Sequence, residues 1–255
     1  MPSVNDAVNK QAVASAFSRA ADSYDAAAVL QREVGESLLG IGATHPARQV
    51  LDAGCGTGYF SRRWRELGRQ VTALDLAPGM LAFARSQQAA QHYLLGDIEH
   101  IPLPDAAVDL SFSSLAVQWC SDLARGLAEL RRVTRPGGLV LFSTLAQGSL
   151  HQLGDAWQQV DGERHVNDFL PLAQIEAACA PYRHRMEACW QTLHYPDVMT
   201  LMRSLKGIGA THLHQGRDAG LLSRRRLTAL QAAYPRQRGE LPLSYHVVYG
   251  VIYCD

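Results

Sequence analysis

The sequence predicts an α/β fold in which seven short strands alternate with amphipathic helices. Three observations carry this. Apolar runs of strand length alternate with three- and four-residue helical spacings, a tight glycine run directly follows the first apolar strand, and acidic residues stand at the ends of the next two strands. Regular strand and helix alternation is the signature of a mostly parallel sheet with helices on both faces. With 255 residues and 47% hydrophobic content the chain can bury one large core, so a single domain over 1–255 is expected.

Along the chain, Val13, Phe17, Ala20 and Tyr24 recur at helical steps, which predicts an amphipathic helix from Val8 to Tyr24 with Tyr24 on its buried stripe. A second helix is expected over Ala27–Leu39. Gln49–Ala53 then reads as the first strand, Phe60–Leu67 as a helix, Gln70–Leu74 as the second strand and Gly79–Gln88 as a helix. His92–Leu95 and Val108–Phe112 continue as strands, Leu123, Leu127 and Leu130 mark a helix, and a turn at Arg135-Pro136-Gly137-Gly138 precedes an apolar strand over Leu139–Leu145. Beyond Ala146 the alternation loosens. Helices are expected near Asp155, Ile175, Met199 and Leu227, with two edge strands over Arg183–Tyr195 and Ser244–Tyr253. In an open α/β sheet the loops after Ala53, Leu74, Leu95 and Phe112 converge on one crevice, which the helical insertions would roof.

The stretch V-L-D-A-G-C-G-T-G, from Val50 to Gly58, points to a nucleotide-type cofactor, because Gly54, Gly56 and Gly58 let backbone turn tightly and approach a ligand closely. A dinucleotide site requires G-x-G-x-x-G, but its third glycine is replaced by Tyr59, and Asp52 sits where a pyrophosphate would be repelled. D-x-G-x-G-x-G resembles motif I of the class I S-adenosylmethionine-dependent methyltransferases. That resemblance implies S-adenosylmethionine as cofactor, Asp52 helping to hold its cationic amino-acid end, and a Rossmann-like core over 47–146. Asp75 ends the second strand, where a carboxylate accepts hydrogen bonds from ribose hydroxyls; it and Leu76 are assigned to the cofactor, as are the pair Asp97-Ile98, which resembles the adenine-binding element of those enzymes. Leu115, leaving the fourth strand, is the expected contact to the reacting end. Gln118 and Trp119 either face the substrate or start and pack the next helix.

No charged-then-apolar leader and no long apolar run is visible, so a cytoplasmic protein without membrane contact is expected. Cys55, Cys120, Cys179, Cys189 and Cys254 are odd in number and never spaced C-x-x-C, which suggests neither disulfides nor zinc. His212 and His214 form an H-x-H pair that no nearby cysteine or carboxylate completes, so no metal is expected. The net charge of zero hides a basic segment. Between Val198 and Gly239 stand Arg203, Lys206, Arg217, Arg224, Arg225, Arg226, Arg236 and Arg238 against Asp218 alone. Such a field attracts an acidic partner, unless it is only a solvated helical face.

No Cys-His, Ser-His or other base is spaced to activate a substrate atom. A carboxylate acceptor needs none, since with a reference pKa near ~4 it is already ionised at neutral pH.

S-L-K-G-I-G-A-T-H-L-H from Ser204 to His214, A-F-S-R-A-A-D-S-Y-D near the start, A-V-Q-W-C from Ala116, T-L-A-Q-G-S-L from Thr144 and Y-H-V-V-Y-G-V-I at the end closely resemble one family across nearly the whole chain. It is that of the malonyl-acyl-carrier-protein O-methyltransferases of biotin synthesis. The resemblance implies a class I methyltransferase fold with an N-terminal helical lid over 1–46 and substrate-side insertions over 147–255. It further implies methyl transfer to the free carboxylate of malonyl-acyl carrier protein, or of malonyl-coenzyme A, with the acidic carrier meeting the basic segment 198–239. Tyr24 is then placed over the cofactor, and Arg203 and Lys206 orient the acceptor carboxylate or the carrier's phosphates. A quinone-type small-molecule methyltransferase is the alternative. A cofactor-binding protein that uses the basic stretch on RNA is weaker, because no aromatic is interleaved between Tyr195 and Tyr234; no nucleic-acid partner is expected.

Overall fold

Residues 8–209 and 223–255 are described by a computed structural model. Its frame is a seven-stranded sheet of β1 (Gln49–Ala53), β2 (Gln70–Asp75), β3 (His92–Leu95), β4 (Val108–Ser114), β5 (Thr134–Leu145), β6 (His184–Tyr195) and β7 (Leu241–Tyr253), in the order β3-β2-β1-β4-β5-β7-β6. β1 to β5 pair in parallel, and β7 runs antiparallel between β5 and β6.

The central strands are apolar on both faces because helices cover both. On one face Leu51, Val140 and Phe142 pack with Leu127, Leu130 and Ile175 from α5 (Leu123–Val133) and α7 (Leu172–Cys179). On the other, Val50, Val71, Leu110 and Leu141 pack with Leu38 of α2 (Val29–Gly42) and Trp64 of α3 (Tyr59–Glu66), whose indole is fully buried. A third apolar cluster joins α6 (His151–Val160), α8 (Val198–Gly207) and α9 (Arg224–Ala233) beside the carboxyl ends of the strands, through Trp157, Leu201, Leu205 and Leu230. α1 (Lys10–Ala27), capped by the Asn9 side chain accepting from Ala12 N at 3.0 Å, lies against α4 (Pro78–Ser86) and α8.

Two expectations are corrected. Ser244–Tyr253 is not at the sheet edge: the final strand starts at Leu241 and inserts between β5 and β6, so β3 and β6 are the edges. Its burial on both faces explains the continuous run without polar side chains other than tyrosine hydroxyls from Val247 to Tyr253, whereas β6 alternates in burial as an edge strand does. Arg135–Gly138 is not a turn before a strand but part of β5, with a register shift between Val108 and Leu110 of the partner strand. Gly137 takes φ +80°, and a Cβ on Gly138 would lie 2.4 Å from Asp109 O, so both glycines serve this irregular pairing. Among the described residues no helix is long and apolar enough to cross a membrane.

Candidate active site

Backbone after β1 is pinned where the strand ends, with Gly54 N and Cys55 N both donating to Leu74 O of β2 at 2.7 and 3.0 Å. Gly54 adopts φ +77°, and a Cβ there would meet Ala116 Cβ at 2.3 Å; one on Gly58, which starts α3 at φ +80°, would meet Ala89 Cβ at 2.4 Å. Gly56 differs. Nothing lies within 4 Å of its Cβ position, and its amide donates to Asp75 Oδ2 at 2.8 Å. The outer two glycines therefore serve close packing, and the middle one leaves open space beside the cleft.

That cleft, with ≈ 630 Å³ of empty space including its open mouth, lies at the carboxyl ends of the strands. Gly54 and Gly56 reach it from β1, Asp75 and Leu76 from β2, Asp97 and Ile98 from β3, and Leu115 from β4. The four loops thus converge as expected. Asp75 is 9% exposed; burial pushes its carboxyl above the usual range, while backbone N–H groups of Ala77, Gly56 and Leu76 act the other way. Oδ1 accepts from Ala77 N at 2.8 Å, which with Gly56 N orients the carboxylate at the cleft wall. Each oxygen keeps acceptor capacity for a ligand hydroxyl.

Helix α1 closes the cleft with Lys10, Val13, Phe17 and Tyr24. Lys10 Nζ pairs with Asp97 at 3.0 Å and Glu99 at 2.5 Å. Burial works against that ammonium, but Glu99 and Asp97 outweigh it and hold the charge. Thr57 Oγ1 donates to Asp25 Oδ1 at 2.6 Å, Gly79 N to Ser18 Oγ at 3.1 Å, and Ser23 Oγ to Gly207 O at 3.2 Å. Helix α1 is thereby tied to the glycine loop, α4 and α8.

A second cavity, ≈ 730 Å³, adjoins the first and shares Phe17, Tyr24, Leu115 and Trp119 with it. It is largely apolar, with Leu145, Leu153, Phe169 and Leu205 among its walls. Tyr24 also lines the smaller space above the glycine loop, so it stands where all three meet. Burial, then the charges of Asp75 and Asp25, raise its phenol well above the ordinary value and keep it protonated at neutral pH. Leu115 sits at φ +47°, unusual for a branched residue, with its amide on Ser143 O and Oγ at 3.1 and 3.0 Å. Backbone strain of this kind concentrates at ligand sites.

The remaining sequence candidates lie elsewhere. Asp52 lines none of these cavities; it is 2% exposed beneath the loop, accepts from Ser61 Oγ at 2.6 Å, and burial pushes its carboxyl up to about 7. Gly58 lines none of them either. Arg203 and Lys206 are exposed on α8, turned away from Leu201 and Leu205, and border neither of these two cavities. Arg224, Arg225, Arg236 and Arg238 are exposed too, whereas Arg226 pairs with Asp161. Arg217, Asp218, the His212/His214 pair and the end of the Ser204–His214 run lie outside the described residues. The five cysteines are free thiols. Asp161, Glu163 and His165 bring ligand-type atoms within 4.8 Å of one another, but Arg226 already supplies positive charge there.

Sequence reasoning missed Lys10, Val13, Phe17 and Met80 as cleft residues. Phe17 and Val13 were legible only as a helical stripe, and nothing local links Lys10 to Asp97, 87 positions away.

The family model for a methyltransferase domain matches residues 51–142. The chain is 76% identical over 253 residues to a malonyl-[acyl-carrier protein] O-methyltransferase of Serratia marcescens, covering 99% of both chains. It is 65% identical to the enzyme of that description from Yersinia pestis, over all of this chain and 95% of the relative. Among solved structures, a putative methyltransferase from Bacillus halodurans superposes with a TM-score of 0.63 at 15% identity, over 86% of this chain and 97% of the other. Geranyl diphosphate C-methyltransferase of Streptomyces coelicolor, solved with S-adenosyl-L-homocysteine, gives 0.51 at 16% identity, over 86% and 78%. These structural likenesses concern the fold: a class I methyltransferase sheet of mostly parallel strands.

Proposed function

The chain belongs to the malonyl-[acyl-carrier protein] O-methyltransferases, and from that premise we propose that it transfers the methyl group of S-adenosylmethionine to the free carboxylate of malonyl-acyl carrier protein. The observation that carries the proposal is 76% identity along 99% of the chain. The product is the malonyl methyl ester, a unit whose masked charge suits it to extension into the pimeloyl part of biotin.

The cleft fits such a cofactor. The open space at Gly56 and the inward carboxylate of Asp75 suit a nucleoside with an amino-acid tail. Asp75 and Leu76 would hold the ribose, Asp97 and Ile98 the adenine, and Gly54 and Gly56 the amino-acid end. Gly58 sets the start of α3, and Asp52 acts from beneath the loop. When bound, the cofactor supplies an electrophilic methyl on a sulfonium. Tyr24 and Leu115 stand between the cleft and the second cavity, which supports their facing the reacting centre.

An acceptor carboxylate is ionised without a base, so the protein's task is alignment and exclusion of water. The apolar walls of the second cavity serve both. A carboxylate oxygen held there would take the methyl directly, its new O–C bond replacing the C–S bond, with no proton to be moved by the protein. Nor is a metal needed. Arg203, Lys206, Arg224 and Arg225, exposed on α8 and at the start of α9, would meet the acidic carrier or its phosphates, or the phosphates of malonyl-coenzyme A. Action in the cytoplasm is part of this proposal. Incubation with methyl-labelled cofactor should place a base-labile label on malonyl carrier protein. Label on a phenolic or quinone acceptor, and none on the carrier, would contradict it.

A further inference from the structure

Among the described residues that line the cofactor cleft, Lys10 is the only one with a cationic side chain. A free cation there would oppose a ligand that is itself a sulfonium. Its position removes the conflict. Lys10 is the first residue of α1 and Tyr24 lies on the same helix, so at a rise of 1.5 Å per residue the two stand about 21 Å apart along its axis. On the functional reading above, Tyr24 marks the end where sulfur and acceptor meet. Lys10 marks the other end, at Asp97 and Ile98, where the adenine is placed.

The ammonium is compensated and fixed. Nζ lies 3.0 Å from Asp97 Oδ1 and 2.5 Å from Glu99 Oε2. Glu99 does not line the cleft and acts as an anchor from outside it. Its side chain is 7% exposed, and its oxygens accept from Ser121 N and Asp122 N, each at 2.9 Å, at the start of α5. Asp97 is held through one oxygen, since Oδ1 also accepts from Glu99 N at 3.0 Å, and its backbone carbonyl accepts from His100 N at 2.9 Å. Both side-chain contacts fall on Oδ1. With that oxygen held, Oδ2 keeps its acceptor capacity in a fixed setting.

We infer that Lys10, anchored by Glu99, fixes Asp97 so that its second oxygen accepts from the exocyclic amino group of the cofactor's base, and thereby sets the preference for adenine. The inference rests on the functional reading above and concerns the nucleoside end of its cofactor. A carboxylate can only accept, and the amino group is the donor that the adenine edge offers. A carboxylate free to rotate would have to be ordered at each binding event, a cost that the ion pair has already met in the folded protein. Lys10 acts through Asp97, because an ammonium has no acceptor for an amino group. It is thus a positioning residue.

The test compares, by calorimetric titration of the whole protein, S-adenosylhomocysteine with its 6-deamino analogue, in which hydrogen replaces the amino group of the base. The two ligands differ in that donor alone. The unsubstituted protein should prefer the amino form by about tenfold or more, as one hydrogen bond to a charged group implies. Lys10→Met keeps the apolar stem at the first position of the helix and should lower the preference by about threefold or more, with affinity for the deamino form and melting temperature unchanged. Lys10→Arg should retain most of the preference, and Glu99→Gln, which leaves every cleft residue in place, should lower it in part. Full preference in both Lys10→Met and Glu99→Gln overturns the inference. Equal weakening of both ligands does so too, since it marks a packing role for α1, as does tighter binding of the amino form by Lys10→Met, which marks Lys10 as a competitor for Asp97. In each of those cases the preference of the unsubstituted protein leaves the adenine on Asp97 and the functional reading standing. Equal binding of the two ligands by the unsubstituted protein overturns the adenine assignment and the inference together, and binding of neither overturns the functional reading as well.

Discussion

Asp75→Ala should weaken cofactor binding by more than tenfold. The carboxylate is held by two backbone amides, Gly56 N and Ala77 N, each at 2.8 Å, which aim it at the cleft rather than at solvent. Hydrogen bonds to a charged group contribute about 1.5–3 kcal/mol each. At about 1.4 kcal/mol per decade, the loss of one ribose contact alone corresponds to roughly ten- to hundredfold in Kd. Alanine also strands the Gly56 amide, so the glycine loop loses part of its support. Asp75→Asn keeps the shape and one acceptor oxygen, and should fall between alanine and the native residue. Calorimetric titration with S-adenosylhomocysteine reads binding without turnover, and circular dichroism establishes that each variant is folded. A folded Asp75→Ala protein with unchanged Kd would refute the ribose assignment and the placement of the nucleoside with it.

Three further outcomes are expected. Gly56→Ala should fold and lose cofactor affinity, since its Cβ meets nothing within 4 Å and φ +54° costs a non-glycine residue about 1–2 kcal/mol, whereas Gly54→Ala should lose melting temperature because its Cβ lies 2.3 Å from Ala116 Cβ; the reverse order in melting and titration would contradict the division of labour in the loop. Tyr24→Phe should lower kcat with little change in melting temperature, and unaltered kinetics would return that ring to lid packing. Asp52 has a folded-state pKa raised from 3.8 to about 7 by burial, so the folded protein binds the proton more tightly than the unfolded chain, and the stability this gives is lost as pH rises from about 4 through about 7. The stability of Asp52→Asn relative to the native protein should therefore grow across that window and level off above it; chemical denaturation giving a constant difference would show that the carboxyl titrates normally.

Much of this was legible because the signals are local. Apolar strand, glycine run and Asp75 lie within twenty-six residues, from Val50 to Asp75, so their spacing, read with the resemblance to methyltransferase motif I, marks residues that line the cleft. The loops ending in Asp97 and Leu115 followed from strand order. What escaped depends on the chain returning to itself. β7 reads as a last strand, and only the pairing of Leu139 with Tyr253 and of Cys189 with Val247 shows it inside the sheet. Lys10 looks like a surface cation until the packing of α1 brings it to Asp97 and Glu99. Leu115 carries no sequence mark of its left-handed backbone. Arg203 and Lys206 were attractive by charge, yet α8 buries Leu201 and Leu205 and so turns both cations outward.

The most direct test of methyl transfer between adjoining cavities is the crystal structure of the complex with S-adenosylhomocysteine and malonyl carrier protein. The account predicts the ribose on Asp75, the sulfur beside Tyr24 and Leu115, and the malonyl carboxylate across that boundary in the cavity walled by Leu145, Leu153 and Phe169. A cofactor whose sulfur faces away from that boundary, or a malonyl group seated outside the second cavity, would contradict it.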